Sequence, residues 1–180
     1  MPLLHKNDIS FIAYAVVTTR NISRARMDLK PGDKAPAFKL PVDGGGHISS
    51  ASLKGNPYVL YFYPKDDTAG CTAEAIDFSK KINKFSELNT SVIGVSKDTI
   101  ASHDRFKTKH KLKVILGSDP ETALADAYGV WVEKSMYGRK YMGMERATFL
   151  VDAKGTIREI WRKVKVAGHV EAVLAAAKAL

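Results

Sequence analysis

Cys71 is the single cysteine of the 180 residues and lies in the string Pro64-Lys65-Asp66-Asp67-Thr68-Ala69-Gly70-Cys71-Thr72. A strand-like run, Tyr58-Val59-Leu60-Tyr61-Phe62-Tyr63, precedes that string, and a helix-like pattern follows it. A thiol in the first turn of a helix faces unpaired backbone N–H groups and the positive end of the peptide dipole, and both favour thiolate over thiol. The chemistry on offer is therefore nucleophilic or redox. A lone cysteine is otherwise a small buried hydrophobe, so its neighbours decide between the two. One cysteine excludes a disulfide or a C-x-x-C site within the chain and points to a reducing compartment, the cytoplasm, or to chemistry that needs only one thiol. The five histidines (His5, His47, His103, His110, His169) show no H-x-x-x-H or H-E-x-x-H spacing, so no metal and no cofactor is expected.

The elements that must position Cys71 follow from periodicity. Phe38 to Val42 and His47 to Ser49 flank Asp43-Gly44-Gly45-Gly46, which predicts an N-terminal β-hairpin. Tyr58 to Tyr63 is apolar on both faces, as a central strand buried on two sides would be. Ala75, Phe78, Ile82 and Phe85 recur at helical spacing and predict a helix to about Leu88. Ser91 to Ser96 reads as a buried strand, and Thr99 to His110 as a helix capped by Asp98 or Thr99. Ser118-Asp119-Pro120-Glu121 reads as the start of a further helix, which Tyr128-Gly129 stops. Thr148 to Asp152 and Thr156 to Trp161 read as strands joined by a turn at Asp152-Ala153-Lys154-Gly155. Val170, Val173, Leu174 and Ala177 share one face of a final helix. A β-α-β unit followed by a β-hairpin and a terminal helix is the thioredoxin-like arrangement of the α/β class: a central mixed β-sheet flanked by helices, its reactive group at the start of the helix after a central strand.

The formal charge of +9 raises the question of nucleic acid. The first 26 residues hold a surplus of three positive charges, and the rest is spread along the chain. The densest cluster, Arg105 to Lys113, carries no interleaved aromatic platform and reads as a solvated helix face, so no nucleic-acid partner is expected. Ile9 to Val17 is apolar but too short to span a bilayer, and no small-residue cleavage site follows it, so no membrane role is expected. Residues 1–26 read as an N-terminal extension, with a targeting segment as the alternative, and residues 27–180 as one domain.

The string Tyr61-Phe62-Tyr63-Pro64-Lys65-Asp66-Asp67-Thr68-Ala69-Gly70-Cys71-Thr72 resembles the active-site loop of peroxiredoxins, whose pattern is P-x-x-x-T/S-x-x-C. Its wording is most similar to the bacterioferritin-comigratory-protein, or Q-type, subfamily. The resemblance begins near Pro31-Gly32-Asp33 and continues through Tyr128-Gly129-Val130-Trp131, Tyr141-Met142-Gly143 and Arg146-Ala147-Thr148-Phe149. It covers about residues 28–178. Separate matching blocks in the right order make chance agreement improbable.

The resemblance implies a thiol-dependent peroxidase for hydrogen peroxide and organic hydroperoxides, with Cys71 as nucleophile. Arg146 then stabilises the thiolate and donates to the peroxide, which its fixed charge and forked donors suit. Thr68 hydrogen-bonds thiolate and substrate, and Pro64 shapes and shields the loop. Glu74, one turn into the helix, either pairs with Arg146 or favours the helix dipole. The chain departs from its relatives where many carry a resolving cysteine, five residues after the first, because that position is Ile76. The resemblance therefore implies a one-cysteine cycle, in which a sulfenic acid at Cys71 is reduced by thioredoxin, glutaredoxin, glutathione or a second subunit. The subfamily implies a monomer or a weak dimer. The competing reading is a peroxide sensor that passes oxidation to a partner without efficient turnover.

Overall fold

The computed structural model describes residues 28–180, so the extension expected over residues 1–26 lies outside the described residues. Strands β1 (Lys39–Pro41) and β2 (His47–Ser49) pair antiparallel as a separate hairpin, with Leu40 opposite Ile48. Its turn runs through Gly44, Gly45 and Gly46, all with positive φ, a region that glycine enters without steric cost.

Five strands form the central sheet. β3 (Tyr58–Phe62) lies in the middle and is buried at every residue, as its unbroken apolar run predicts. Helix α1 (Ala69–Glu87) leads to β4 (Ser91–Ser96), parallel to β3, and α2 (Ile100–His110) leads to β5 (Ile115–Ser118), parallel to β4. After a short α3 (Ala123–Ala127) and an outlying hairpin of β6 (Trp131–Met136) and β7 (Arg139–Met144), the chain returns as β8 (Ala147–Val151). β8 runs antiparallel to β3 on its other side, and β9 (Ile157–Trp161) pairs antiparallel with β8. Helix α4 (His169–Lys178) ends the chain. The sheet order β5-β4-β3-β8-β9 is mixed, as expected.

Alternation along β3 divides the core in two. Leu60 and Phe62 face a cluster with Phe38, Leu40, Leu124 and Phe149. Val59, Tyr61 and Tyr63 face the opposite cluster, which holds Cys71, Phe78 and Phe85 of α1, Phe106 of α2 and Val173 of α4. Each fully buried aromatic contributes about 2 to 3 kcal/mol of apolar burial, so Phe78 and Phe85 anchor α1 to the sheet and thereby fix where its N-terminus lies.

Two expectations are corrected. The helix expected from Ser118-Asp119-Pro120 begins only at Ala123, because residues up to Ser118 belong to β5 and the chain turns before coiling. Asp119 still acts as an N-terminal cap, since its carboxylate accepts from the amides of Leu124 and Ala125 at 3.2 and 2.9 Å. The β6–β7 hairpin was not expected at all. Its strands are largely solvent-facing and show no clean alternation, and its turn uses Tyr137 (φ 51°) and Gly138 (φ 77°) in place of Asn-Gly or Asp-Gly.

Candidate active site

β3 ends its ladder at Tyr63, whose N–H donates to the Val95 carbonyl at 3.1 Å. Pro64 comes next and has no N–H to continue the ladder, so the chain leaves the sheet there. It bends through Asp66 and Asp67, the latter at φ 56°, and enters α1 with Thr68 as N-cap. The first intrahelical bond runs from the Thr72 N–H to the Thr68 carbonyl at 2.8 Å. Amides 69 to 71 therefore precede the ladder, and Cys71 lies in the first turn among unpaired N–H donors.

Arg146 reaches this point through sheet register. Phe62, the last residue of β3, is paired with Ala147, the first of β8, so the residue before Ala147 is carried to the mouth of the β3–α1 loop. The side chain then makes two contacts. Nη2 donates to Cys71 Sγ at 3.3 Å, and Nη1 donates to Glu74 Oε2 at 2.5 Å. Of the two roles open to Glu74, pairing with Arg146 is the one observed. Gly70 completes the arrangement, because a Cβ there would lie 3.1 Å from Arg146 Nη2. The guanidinium thus rests against a helix turn that has no side chain in its way.

The electrostatics follow from burial. Glu74 is fully buried, and its Oε1 has no hydrogen-bond partner. Desolvation therefore pushes its carboxyl up to about 7, against the opposing pull of Arg146. For Arg146, burial works against the charge, but Glu74 and Cys71 outweigh it and hold the guanidinium above its ordinary value. Lys134 of β6 reaches back to the Met144 carbonyl, and burial beside this cluster lowers its ammonium pKa. Tyr61 forms a wall of the same region, stacked on Phe78 at 4.7 Å and on Tyr63 at 5.6 Å. Burial, then the neighbouring carboxylate of Glu74, holds its phenol neutral.

The structure brings Cys71 and Arg146 together, with Thr68 and Pro64 on the adjoining loop, but two details differ from expectation. The Thr68 hydroxyl donates to the Lys65 carbonyl at 2.9 Å, because the turn at Asp66 and Asp67 folds that carbonyl back over the N-cap. Its hydrogen is thus engaged within the loop and not on Cys71. Pro64 is exposed, whereas Cys71 is only 2 % exposed. What encloses Cys71 is the apolar cluster it shares with Tyr61, Tyr63 and Ala75, so Pro64 shapes the loop more than it covers the thiol. Sequence reasoning missed Gly70 and Lys134. A glycine in the first turn of a long helix, where alanine is favoured by about 1 kcal/mol, is a readable sign of close approach. For Lys134 no local signal exists.

A cationic donor on a first-turn cysteine sulfur, with unpaired amides beside it, can hold a thiolate and stabilise negative charge on an oxygen departing from the atom that the sulfur attacks. The chain matches the family model described as AhpC/TSA family over residues 31–160. It is 47% identical over 148 residues to a putative peroxiredoxin of Coxiella burnetii, a match covering 82% of this chain and 98% of that protein. It is also 47% identical over 148 residues to peroxiredoxin Bcp of Bacillus subtilis, covering 82% of this chain and 94% of the relative. Among solved structures it resembles the bacterioferritin comigratory protein of Xanthomonas campestris, described for alkyl peroxide reduction activity, with TM-score 0.76, 44% identity and coverage of 79% and 90% of the two chains. A cysteine-to-serine mutant of peroxiredoxin Q from Xylella fastidiosa matches with TM-score 0.80, 37% identity and coverage of 84% and 96%.

Proposed function

From the premise that the chain belongs to the AhpC/TSA family, in its bacterioferritin-comigratory-protein branch, and is a thiol-dependent peroxidase, we propose that Cys71 is its peroxidatic nucleophile and Arg146 its activating cation. The observation that carries this reading is the 3.3 Å contact from Arg146 Nη2 to Cys71 Sγ in the first turn of α1. The Cys71 thiolate attacks the nearer peroxide oxygen along the O–O axis. An S–O bond forms as the O–O bond breaks, Cys71 becomes a sulfenic acid, and the departing hydroxide or alkoxide takes a proton from water. Arg146 donates to the oxygens as charge moves onto them, and the free amides of the helix turn supply further donors. The Thr68 oxygen, with its hydrogen held by Lys65, has lone pairs left to accept the hydroperoxide O–H and orient it.

No second cysteine exists in the chain to close a disulfide, and Ile76 instead packs its half-buried side chain against the core. An external thiol therefore attacks the sulfenic sulfur and releases water, and a second thiol reduces the mixed disulfide. Glutathione, glutaredoxin, thioredoxin or Cys71 of a second copy supplies that thiol, and the single unpaired cysteine fits a cytoplasmic setting. The substrate class includes organic hydroperoxides, a reading supported by the activity described for the Xanthomonas relative. The test compares wild type with Cys71→Ser for consumption of hydrogen peroxide and an alkyl hydroperoxide in dithiothreitol. Continuous turnover by wild type alone is expected. Activity retained in Cys71→Ser would overturn the assignment.

A further inference from the structure

The loop that delivers Cys71 is gripped from the side by α2, through groups that the peroxide chemistry does not use. Asp66 is 7 % exposed. Its Oδ1 accepts from the Tyr63 hydroxyl at 2.6 Å, and its Oδ2 accepts from the Ser102 hydroxyl at 2.8 Å. The same Oδ2 lies 2.8 Å from Nδ1 of His103, which is wholly buried. The other ring nitrogen, Nε2, lies 3.1 Å from the Gly117 carbonyl on β5. A carbonyl only accepts, so Nε2 carries a hydrogen. Burial works against the Asp66 charge, yet the bonds from His103, Tyr63 and Ser102 outweigh it and leave the carboxyl below its ordinary value. His103 thus bridges the Asp66 carboxylate and the Gly117 carbonyl, and this buried histidine–carboxylate pair ties the loop to α2 and β5. One α2 face continues the grip two turns later, where Lys109 and His110 each meet the exposed Asp67 carboxylate at 2.6 Å.

A buried polar pair is a weak way to stabilise a fold compared with apolar packing, but it specifies one geometry. Here the geometry specified is that of the residues between Pro64 and Thr68. We propose that His103 is a positioning residue of the peroxide reaction: through Asp66 it holds the loop closed, with Thr68 and the first turn of α1 set against Arg146. The same bond opposes the opening that lets an external thiol reach oxidised Cys71, which is otherwise buried. Loss of the bond therefore slows the peroxide step and speeds the thiol step. This rests on the peroxidatic role proposed for Cys71.

The two nitrogens of His103 can be tested separately. His103→Asn keeps a donor near the Nδ1 position, facing Asp66, whereas His103→Gln keeps one near Nε2, facing Gly117. Both lose the ring and its packing. Each is reduced, mixed with hydrogen peroxide in a single-turnover stopped-flow experiment, and then mixed with dithiothreitol. His103→Gln is expected to slow the peroxide step about thirtyfold, the scale of one charge-assisted hydrogen bond, and to speed the thiol step about threefold. His103→Asn is expected to slow the peroxide step by no more than about threefold, the bond to Asp66 being kept. Equal effects of the two variants on both steps would mean that the ring only fills space, and would overturn the inference. If neither variant folds, Ser102→Ala removes a second donor to Asp66 at a half-buried position and should shift the two steps in the same opposite directions by about threefold. No shift in either step would overturn the inference. A Cys71→Ser chain that reacts, or a wild type that does not, would instead refute the peroxidatic reading beneath it.

Discussion

Replacing Glu74 by Gln keeps the shape of a fully buried side chain and removes its charge, and the consequence is a change in how stability depends on pH. Burial pushes Glu74 from its ordinary 4.5 to about 7, the pull of Arg146 notwithstanding. Between those values the native chain holds a proton that the unfolded chain has released. The stability this group contributes is therefore complete below pH 4.5 and is lost as pH rises through 7, and the gap corresponds to about 3 kcal/mol. His169 acts in the opposite sense. Burial, then the charge of Arg146, depress its imidazole from 6.5 to about 4, so its contribution is lost as pH falls through that window, on a similar scale of about 3 kcal/mol. The two slopes oppose each other, and the wild type should be nearly flat between pH 4.5 and 6.5 with respect to these groups. Glu74→Gln leaves His169 unopposed. Urea unfolding across pH 4 to 8 should show the variant gaining about 3 kcal/mol on wild type from the acid end to the alkaline end. The glutamine amide, left without a partner where Oε1 was, subtracts about 1 to 3 kcal/mol at every pH, so the slope and not the offset is the test. Parallel curves for the two proteins would refute the claim that Glu74 is protonated by burial near neutrality.

Three further outcomes follow from contacts in and around the site. Gly70→Ala places a Cβ 3.1 Å from Arg146 Nη2. Because alanine favours the helix by about 1 kcal/mol, thermal stability should hold or rise while the peroxide rate constant falls about tenfold, and an unchanged rate would mean that the guanidinium is free to shift. Gly94→Ala would set a Cβ 2.5 Å from the Tyr61 ring and should cost about 1 to 3 kcal/mol in urea unfolding through overpacking; a neutral effect would show that the Tyr61 ring can move. Excess peroxide without thiol should carry Cys71 past sulfenic to sulfinic acid, because no resolving cysteine intercepts it. Intact mass after such treatment reads this directly, and an unoxidised Cys71 would contradict it.

Much of this molecule was legible in its sequence because the relevant forces are local. An unbroken apolar run marks β3 through Tyr58 to Tyr63 and a period-3.6 apolar pattern marks α1 through Ala75 to Phe85, since the strand must bury both faces and the helix one. Pro64 ends a strand and Thr68 opens a helix for reasons internal to the backbone, so the placement of Cys71 in a first helical turn needed no tertiary information. The β6–β7 hairpin was not legible, because its strands bury too little to impose alternation and its turn lacks the usual glycine pair. The late start of α3 was likewise hidden, because Asp119 caps the helix from beyond an intervening turn.

The sequence by itself determined that there is a single thiol, the helix end that carries it and the absence of a second cysteine, because residue identity and backbone geometry are properties of adjacent positions. Only the tertiary structure decided that Arg146 meets Cys71, 75 positions away in the chain, because that contact depends on the antiparallel register which sets Ala147 opposite Phe62. It also decided the electrical state of the site. Whether Glu74 is charged, and whether His103 holds Asp66, are set by how completely each is removed from water and by which acceptors surround it, and desolvation is a property of the packed core and not of any segment of the chain.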